Sequence, residues 1–235
     1  MGPRYGLRFE IKKILSFQEY MLLRERISVL LEKDVNMQQE DGYKVSSLYF
    51  DYIYQSAYYE KINGVKNRKK YRIRIYNDSD QIIHLECKEK HSDKIAKRAI
   101  LISKECALEM IRSDYSILSH QEDELSQEVY AAACSRKLMP KVIVNYKREA
   151  YVYEVSNVRI TFDKDLSCVL NSKDLFAEDY LETSVFDHQQ VILEIKYDTY
   201  LPKFIAQAVE GVGYKTAVSK FCHCIDQKEH YIMKQ

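Results

Sequence analysis

The chain has 235 residues, with 36 Lys or Arg against 35 Asp or Glu, a net charge of +1, and 46% hydrophobic residues. That length and apolar content suit one core-bearing domain over 1–235, and with only 6 Gly and 3 Pro there is no linker-like stretch to divide it. Balanced charge argues against a protein that coats nucleic acid; no apolar run approaches the ~18 residues of a membrane span; and six Cys without a secretory signal read as free thiols in a cytoplasmic protein.

A first strand is predicted over 4–14, where Arg8, Glu10 and Lys12 recur at spacing two and so share one face. Ser16 and Glu19 make a capping box opening an amphipathic helix through about Glu32, with Leu22, Leu23, Ile27, Leu30 and Leu31 as its apolar stripe. Strands follow over 43–51, 68–77, 81–90 and 96–103. Asn63-Gly64 marks a turn, and the short connection from Asn77 to Gln81 makes 68–77 and 81–90 an antiparallel hairpin. A helix over 122–138 is closed by Pro140, and strands over 140–153 and 157–163 are separated by Ser156-Asn157. The stretch 164–189 has no clear period and is long for a loop, which points to an edge strand or a lid. A strand over 190–197 and helices over 202–210 and 217–233 complete the chain. Cys222-His223-Cys224 lacks zinc-ligand spacing and a second ligand pair nearby, so these thiols read as buried packing.

Charge keeps the alternate positions in several of these strands. Arg72, Arg74 and Tyr76 oppose Tyr71, Ile73 and Ile75; His84, Glu86 and Lys88 oppose Ile83, Leu85 and Cys87; Glu194 and Lys196 oppose Val191, Leu193 and Ile195. One polar face is ordinary for an antiparallel sheet open to water. Here the polar faces are rich in Arg and Lys with one Glu each, and the helices need the apolar faces as partners. The arrangement that satisfies both is an α+β fold, an antiparallel closed β-barrel of about eight strands with a basic lumen and helices outside. Two cations ~8 Å apart repel by roughly 2 kcal/mol at an effective dielectric of about 20, so such a lumen is costly when empty and suits a polyanion. Arg binds phosphate by two-point contacts and Lys as a point charge. A carboxylate among them fits a divalent cation carried by phosphates. There is no Gly-rich phosphate loop, no dinucleotide fingerprint and no nucleophile motif.

These residues resemble the VTC domain, the polyphosphate polymerase branch of the triphosphate tunnel metalloenzymes. The resemblance runs from about Arg8 to Phe221: R-F-E-I-K at 8–12, V-S-S-L-Y-F-D at 45–51, K-Y-R-I-R-I-Y at 70–76, H-L-E-C-K at 84–88, A-K-R at 96–98, Y-K-R-E-A-Y at 146–151, V-R-I-T-F-D at 158–163, L-E-I-K at 193–196 and S-K-F at 219–221. It implies a tunnel of about eight strands in which Lys12, Arg72, Arg74, Lys88, Lys97, Arg148, Arg159 and Lys220 bind the phosphate chain. Glu194 would hold Mn²⁺ or Mg²⁺, and Lys12, Glu194 and Lys220 would form the catalytic group. Glu10 and Glu86 serve either the metal or as counter-ions, and Lys196 either phosphate or Glu194. Tyr49 and Tyr76 read as wall packing.

The sister branch of triphosphatases opens with E-x-E-x-K, whereas this chain reads R-x-E-x-K from Arg8, which favours the polymerase branch. Lys13 stands where the family often has an aromatic residue. The chain reads as a stand-alone soluble form, without the phosphate-sensing domain or membrane helices of the eukaryotic complex; a membrane partner is left open. The resemblance implies transfer of the γ-phosphoryl of ATP, or another nucleoside triphosphate, to polyphosphate, triphosphate or pyrophosphate. The alternatives are a triphosphatase of the same fold and a non-catalytic polyphosphate-binding module. Glu194→Ala is expected to abolish turnover with little change in stability.

Overall fold

The structure, a computed structural model, describes residues 6–186 and 189–234. Residues 4–5 of the predicted first strand and 187–188 of the aperiodic stretch lie outside the described residues.

Eight long strands carry the architecture: β1 (Phe9–Ser16), β3 (Tyr43–Tyr52), β4 (Asn67–Tyr76), β5 (Ser79–His91), β6 (Lys94–Leu101), β7 (Leu138–Tyr153), β8 (Val158–Val169) and β10 (Gln190–Tyr197). Short strands β2 (Glu32–Lys33), β9 (Glu182–Ser184) and β11 (Tyr214–Lys215) bring the antiparallel sheet to 11 strands. The main path runs β11-β1-β10-β8-β7-β3-β4-β5-β6, with β2 on β7 and β9 on β8. The aperiodic stretch therefore does contain an edge strand, β9, and a longer β8 than the sequence suggests.

The predicted closed barrel is corrected by the way the two ends of the sheet meet. β1 and β6 touch through one isolated bridge, Arg8 with Ile95, made of two backbone hydrogen bonds of 3.0 Å. Continuing that antiparallel register would place Lys97 opposite Gly6, before β1 begins, and Asp93, in the turn before β6, opposite Glu10. Beyond Phe9 opposite Lys94, each strand runs on where the other has ended, so the seam does not extend. The sheet curls into a tunnel wall without a continuous ladder around it.

Helices cover the outside. α1 (Phe17–Leu30) starts at the predicted capping box: Glu19 N donates to Ser16 Oγ and Ser16 N donates to a Glu19 carboxylate oxygen at 2.8 Å. Its buried residues are Tyr20, Leu23 and Ile27, while Leu22 and Leu30 are exposed, so the apolar stripe is narrower than predicted. α4 (Glu124–Arg136), α5 (Lys203–Ala208) and α6 (Lys220–Ile232) correspond to the other predicted helices; α2 (Ser56–Ile62) and α3 (Lys104–Ile111) are additional. One apolar cluster joins α1, α5 and α6 to β1, β8 and β10, and a second joins α3 and α4 to β4 and β5. Ile73, Ile75, Ile83 and Leu85 are buried in the second, so the apolar strand faces do turn toward the helices. The β4–β5 turn is two residues long, with Asn77 and Asp78 both at positive φ (51° and 54°), the backbone a tight hairpin needs.

Candidate active site

The charged strand faces converge on a cavity of about 680 Å³. Twelve of its lining residues are Lys or Arg and three are Asp or Glu. This segregation explains how a chain with net charge +1 holds a strongly cationic site.

Register sets the deepest part of the site. β1 pairs with β10 so that Lys12 faces Glu194, and β10 pairs with β8 so that Glu194 faces Thr161. Lys220, the first residue of α6, reaches the same point from above the sheet, its helix begun by the Ser219 side chain accepting from Cys222 N. Glu194 is buried and paired with Lys220 at 2.6 Å, Lys12 at 3.0 Å and Lys196 at 3.1 Å. Burial opposes its charge, but Lys12, Lys220 and Lys196 outweigh burial and hold the carboxyl well below its ordinary range. Burial likewise opposes charge on Lys12, and Glu194 with Glu10 overcomes it, so the ammonium is held more strongly than usual.

Arg148 is fixed by Asp163, which accepts from its Nε at 2.6 Å and Nη2 at 2.7 Å; Lys220 is 2.5 Å from the same carboxylate. Arg72 donates Nε to Glu86 at 2.7 Å and Nη1 to the Tyr49 hydroxyl at 2.7 Å. Arg74 has neutral partners, Ser47 Oγ and Tyr146 OH, each at 3.0 Å, with Glu86 only at 3.8 Å. In Arg74 and Arg148, Nε and Nη2 are the atoms hydrogen-bonded to the wall, leaving N–H capacity at Nη1 for a ligand; in Arg72 Nη1 also donates to Tyr49, and one N–H of that atom remains. Glu10 binds Lys88 at 2.8 Å and Lys12 at 3.2 Å. Withdrawal from water pushes Lys88 down to about 8 despite Glu10.

Of the predicted residues, Glu10, Lys12, Arg72, Arg74, Lys88, Arg148, Glu194, Lys196 and Lys220 line this cavity. Three predicted residues stand apart. Lys97 is spent on Glu86 at 2.8 Å, and Arg159 turns to Asp34 at 3.0 Å and Tyr43 at 3.3 Å. Glu86 is buried beneath the arginines, its oxygens taken by Arg72 and Lys97. The structure thus uses Glu86 as a counter-ion and leaves it no face toward the cavity for a metal. Tyr49, read as wall packing, both lines the cavity and packs against Phe221, the rings tilted by 32° with centroids 5.3 Å apart. Burial opposes its ionisation, yet Arg72 and Arg74 pull the phenol down to about 8. The sequence reading missed Asp163 and Lys70. Lys70 shares a face with Arg72 and Arg74, so spacing two could have found it, and Asp163 continues the series from Arg159 through Thr161.

Glu194 and Glu10 converge on one point: the Lys12 ammonium lies 3.0 Å from one and 3.2 Å from the other. Two hard oxygen donors facing a phosphate-sized basic cavity fit Mg²⁺ or Mn²⁺, which bind through one or two carboxylates plus substrate phosphates. A second acidic group, Cys87, Glu89 and Glu128, lies outside the cavity. It is already neutralised by Arg98 on both glutamates and by Lys69 on Glu128 at 3.0 Å.

A family profile described as VTC domain matches residues 7–228. No curated protein sequence matches the chain. Among solved structures, the chain is similar to HpAC1, a candidate adenylyl cyclase from Hippeastrum with a dominant triphosphatase activity. The two share 16% identity over 94% of this chain and 96% of that one, with a TM-score of 0.59. It is also similar to the PH1819 protein of Pyrococcus horikoshii (15% identity, 97% and 99% covered, TM-score 0.46) and to a candidate adenylate cyclase from Bacillus halodurans (12% identity, 97% and 91% covered, TM-score 0.46). The Hippeastrum likeness is one of fold.

Proposed function

The chain belongs to the VTC domain family, and from that premise we propose that it is a polyphosphate polymerase that transfers the γ-phosphoryl of ATP to a polyphosphate end. The observation that carries the proposal is Glu194, set among Lys12, Lys196 and Lys220 in the wall of a strongly cationic cavity. In the reaction, a terminal phosphate oxygen of the acceptor attacks the γ-phosphorus. The bond from that phosphorus to the β–γ bridging oxygen breaks, and ADP leaves. The acceptor is itself an oxyanion at neutral pH, so no protein nucleophile and no general base are required. What the reaction needs is alignment of two anions and neutralisation of their charge.

Arg72, Arg74 and Arg148 offer their remaining N–H groups to the non-bridging oxygens, and Lys12 and Lys220 supply point charges beside Glu194. Lys88 and Lys196 extend that field along the cavity. Glu194 with Glu10 would hold Mg²⁺ or Mn²⁺, which when bound supplies further charge neutralisation on the triphosphate. Exclusion of bulk water from the cavity once both substrates fill it would favour transfer over hydrolysis.

A triphosphatase is the second reading. The same ring of cations serves any triphosphate, and the Hippeastrum protein of the same fold is described by that activity. The two differ only in whether a phosphate or a water attacks. Incubation with ATP and Mn²⁺ or Mg²⁺, resolved on a gel stained for polyphosphate with ADP and free phosphate measured in parallel, decides between them. Chains with matching ADP support the polymerase, and free phosphate without chains supports the hydrolase. Polyphosphate binding without turnover would instead leave a non-catalytic binding module.

A further inference from the structure

The Glu194 carboxylate is surrounded by cations. Lys220 and Lys12 share one of its oxygens, and Lys196 takes the other, with Arg148 at 3.8 Å. In the reading above, bound phosphate draws on those same cations, and a divalent cation takes the carboxylate. A carboxylate that holds a metal is itself held by a hydrogen-bond donor that fixes its orientation. An ammonium or guanidinium serves poorly there, because its charge repels the metal. Glu194 is 4% exposed, so bulk water does not supply the donor either. The task calls for a neutral donor from the protein.

Thr161 stands in the right place. β10 and β8 pair without a break in register from Ile192 with Asp163 to Lys196 with Arg159, which sets Thr161 directly across from Glu194. Residues directly opposite in an antiparallel pair share a face, with Cβ atoms about 4.5–5.5 Å apart. That face is the inner one. Asp163, two residues on, accepts from Arg148, which lines the cavity, whereas Phe162 between them packs in the core against Tyr20 of α1. Thr161 is 1% exposed, and among the described residues its hydroxyl has no hydrogen-bond partner. Its neighbours do not compete for it. Asp163 is occupied by Arg148 and Lys220, Arg159 by Asp34, and the residue opposite Thr161 on β7 is Ala150, which has no polar side chain. The buried Ser47 hydroxyl on β3, by contrast, accepts from Arg74 Nε at 3.0 Å. A buried hydroxyl without a partner is a standing cost, recovered when an acceptor comes within reach.

We propose that Thr161 is a positioning residue for Glu194: with Mg²⁺ or Mn²⁺ and a triphosphate bound, its hydroxyl donates to the carboxylate while Lys12, Lys196 and Lys220 turn to phosphate oxygens. The hydroxyl brings a hydrogen bond without a charge, so it orients Glu194 without competing with the cation. The motion needed is small, a rotation about one side-chain bond whose staggered positions are few in a β-branched residue. The inference rests on the reading of Glu194 as the metal-holding carboxylate and names the residue that serves it.

Thr161→Val removes the hydroxyl and keeps the branched shape; Thr161→Ser keeps the hydroxyl. Tripolyphosphate binding to the wild type and to both variants is measured by calorimetry, once with chelator and once with saturating Mn²⁺. Thr161→Val is expected to leave the metal-free affinity unchanged and to lower the Mn²⁺-loaded affinity by roughly tenfold or more, the usual effect of losing a group that orients a metal ligand. Thr161→Ser should retain most of the Mn²⁺-loaded affinity. Equal loss with and without Mn²⁺ would give Thr161 a purely structural role and overturn the proposal, as would a Thr161→Ser loss as large as that of Thr161→Val. Wild-type protein that binds tripolyphosphate no more tightly with Mn²⁺ than without would overturn the metal reading of Glu194 and the role of Thr161 with it. A gain from Mn²⁺ that Thr161→Val keeps in full would leave the metal reading standing and overturn only the role of Thr161.

Discussion

Glu194 is the residue whose removal the structure makes most informative. Buried among three lysines, it cannot be truncated without leaving Lys12 and Lys220 with less compensation, and breaking a buried ion pair costs about 3–5 kcal/mol. The expectation that Glu194→Ala spares stability is therefore replaced: Glu194→Gln lowers the melting temperature of the empty protein and abolishes turnover. The same change makes the cavity more positive, so metal-free tripolyphosphate binds more tightly. Weaker metal-free binding, read by calorimetry with chelator present, would refute this. Arg74 offers a complementary measurement, because its wall partners are neutral. Arg74→Gln should weaken tripolyphosphate binding by about tenfold to a hundredfold, the worth of a charge-assisted contact of ~1.5–3 kcal/mol, with a smaller effect on melting than Arg72→Gln, which strips the buried Glu86 of a partner. The pH response has a defined sign. Lys70, lowered by burial, and Tyr49, lowered by Arg72 and Arg74 against burial, both stand near 8, as does Lys88. An arriving phosphate raises all three, so binding at pH 8–9 takes up protons. Calorimetry in buffers of different ionisation enthalpy measures this, and proton release would contradict it.

At the scale of elements, the site depends on backbone contacts that carry no charge. Gly42 has φ of +97°, and a Cβ there would lie 2.2 Å from the Arg148 carbonyl oxygen. Gly42→Ala must push β7 away at the residue that holds Asp163, so both melting temperature and triphosphate affinity should fall; wild-type affinity in a folded variant would show that Arg148 is positioned otherwise. The eight long strands and four of the helices were legible in the sequence because each leaves a period, two for the charged faces and 3.6 for the stripe of α1. The two- and three-residue strands β2, β9 and β11 are too short to show one, and α2 and α3, at seven and eight residues, barely do. Face was legible, but depth along the tunnel was not. Lys97 and Arg159 sit opposite Lys88 and Lys196 on the correct faces, yet the stagger between strands carries their side chains to Glu86 and Asp34 instead of the cavity. Stagger is set by pairing between distant segments, which spacing within one segment cannot reveal.

The molecule as a whole concentrates its positive charge inside and its balance outside, and its stability should respond to pH in a way that separates the empty from the filled state. Lys70, Lys88 and Tyr49 have folded values near 8 against ordinary values of 10.5, 10.5 and 10.0. Between those limits the unfolded chain binds more protons, so the empty protein gains stability as pH rises from 8 toward 10. Over the same range phosphate affinity falls, because the lysines lose charge and Tyr49 gains a negative one. Melting curves with and without tripolyphosphate should therefore converge as pH rises through that window; curves that run parallel would rule out these three groups as the cause.

The seam between β1 and β6 gives the tunnel a topology different from that of a pipe. A polymer passing through an unbroken ring must be threaded from one of its ends. A ring whose backbone is fastened at one place by two hydrogen bonds, Arg8 with Ile95, and otherwise by side chains such as Lys88 on Glu10 and Lys94 over Phe9, is a clasp. Opening a clasp would admit the middle of a strand sideways, so under the polyphosphate reading a chain already long at both ends would be taken up, and let go, without its termini ever being found.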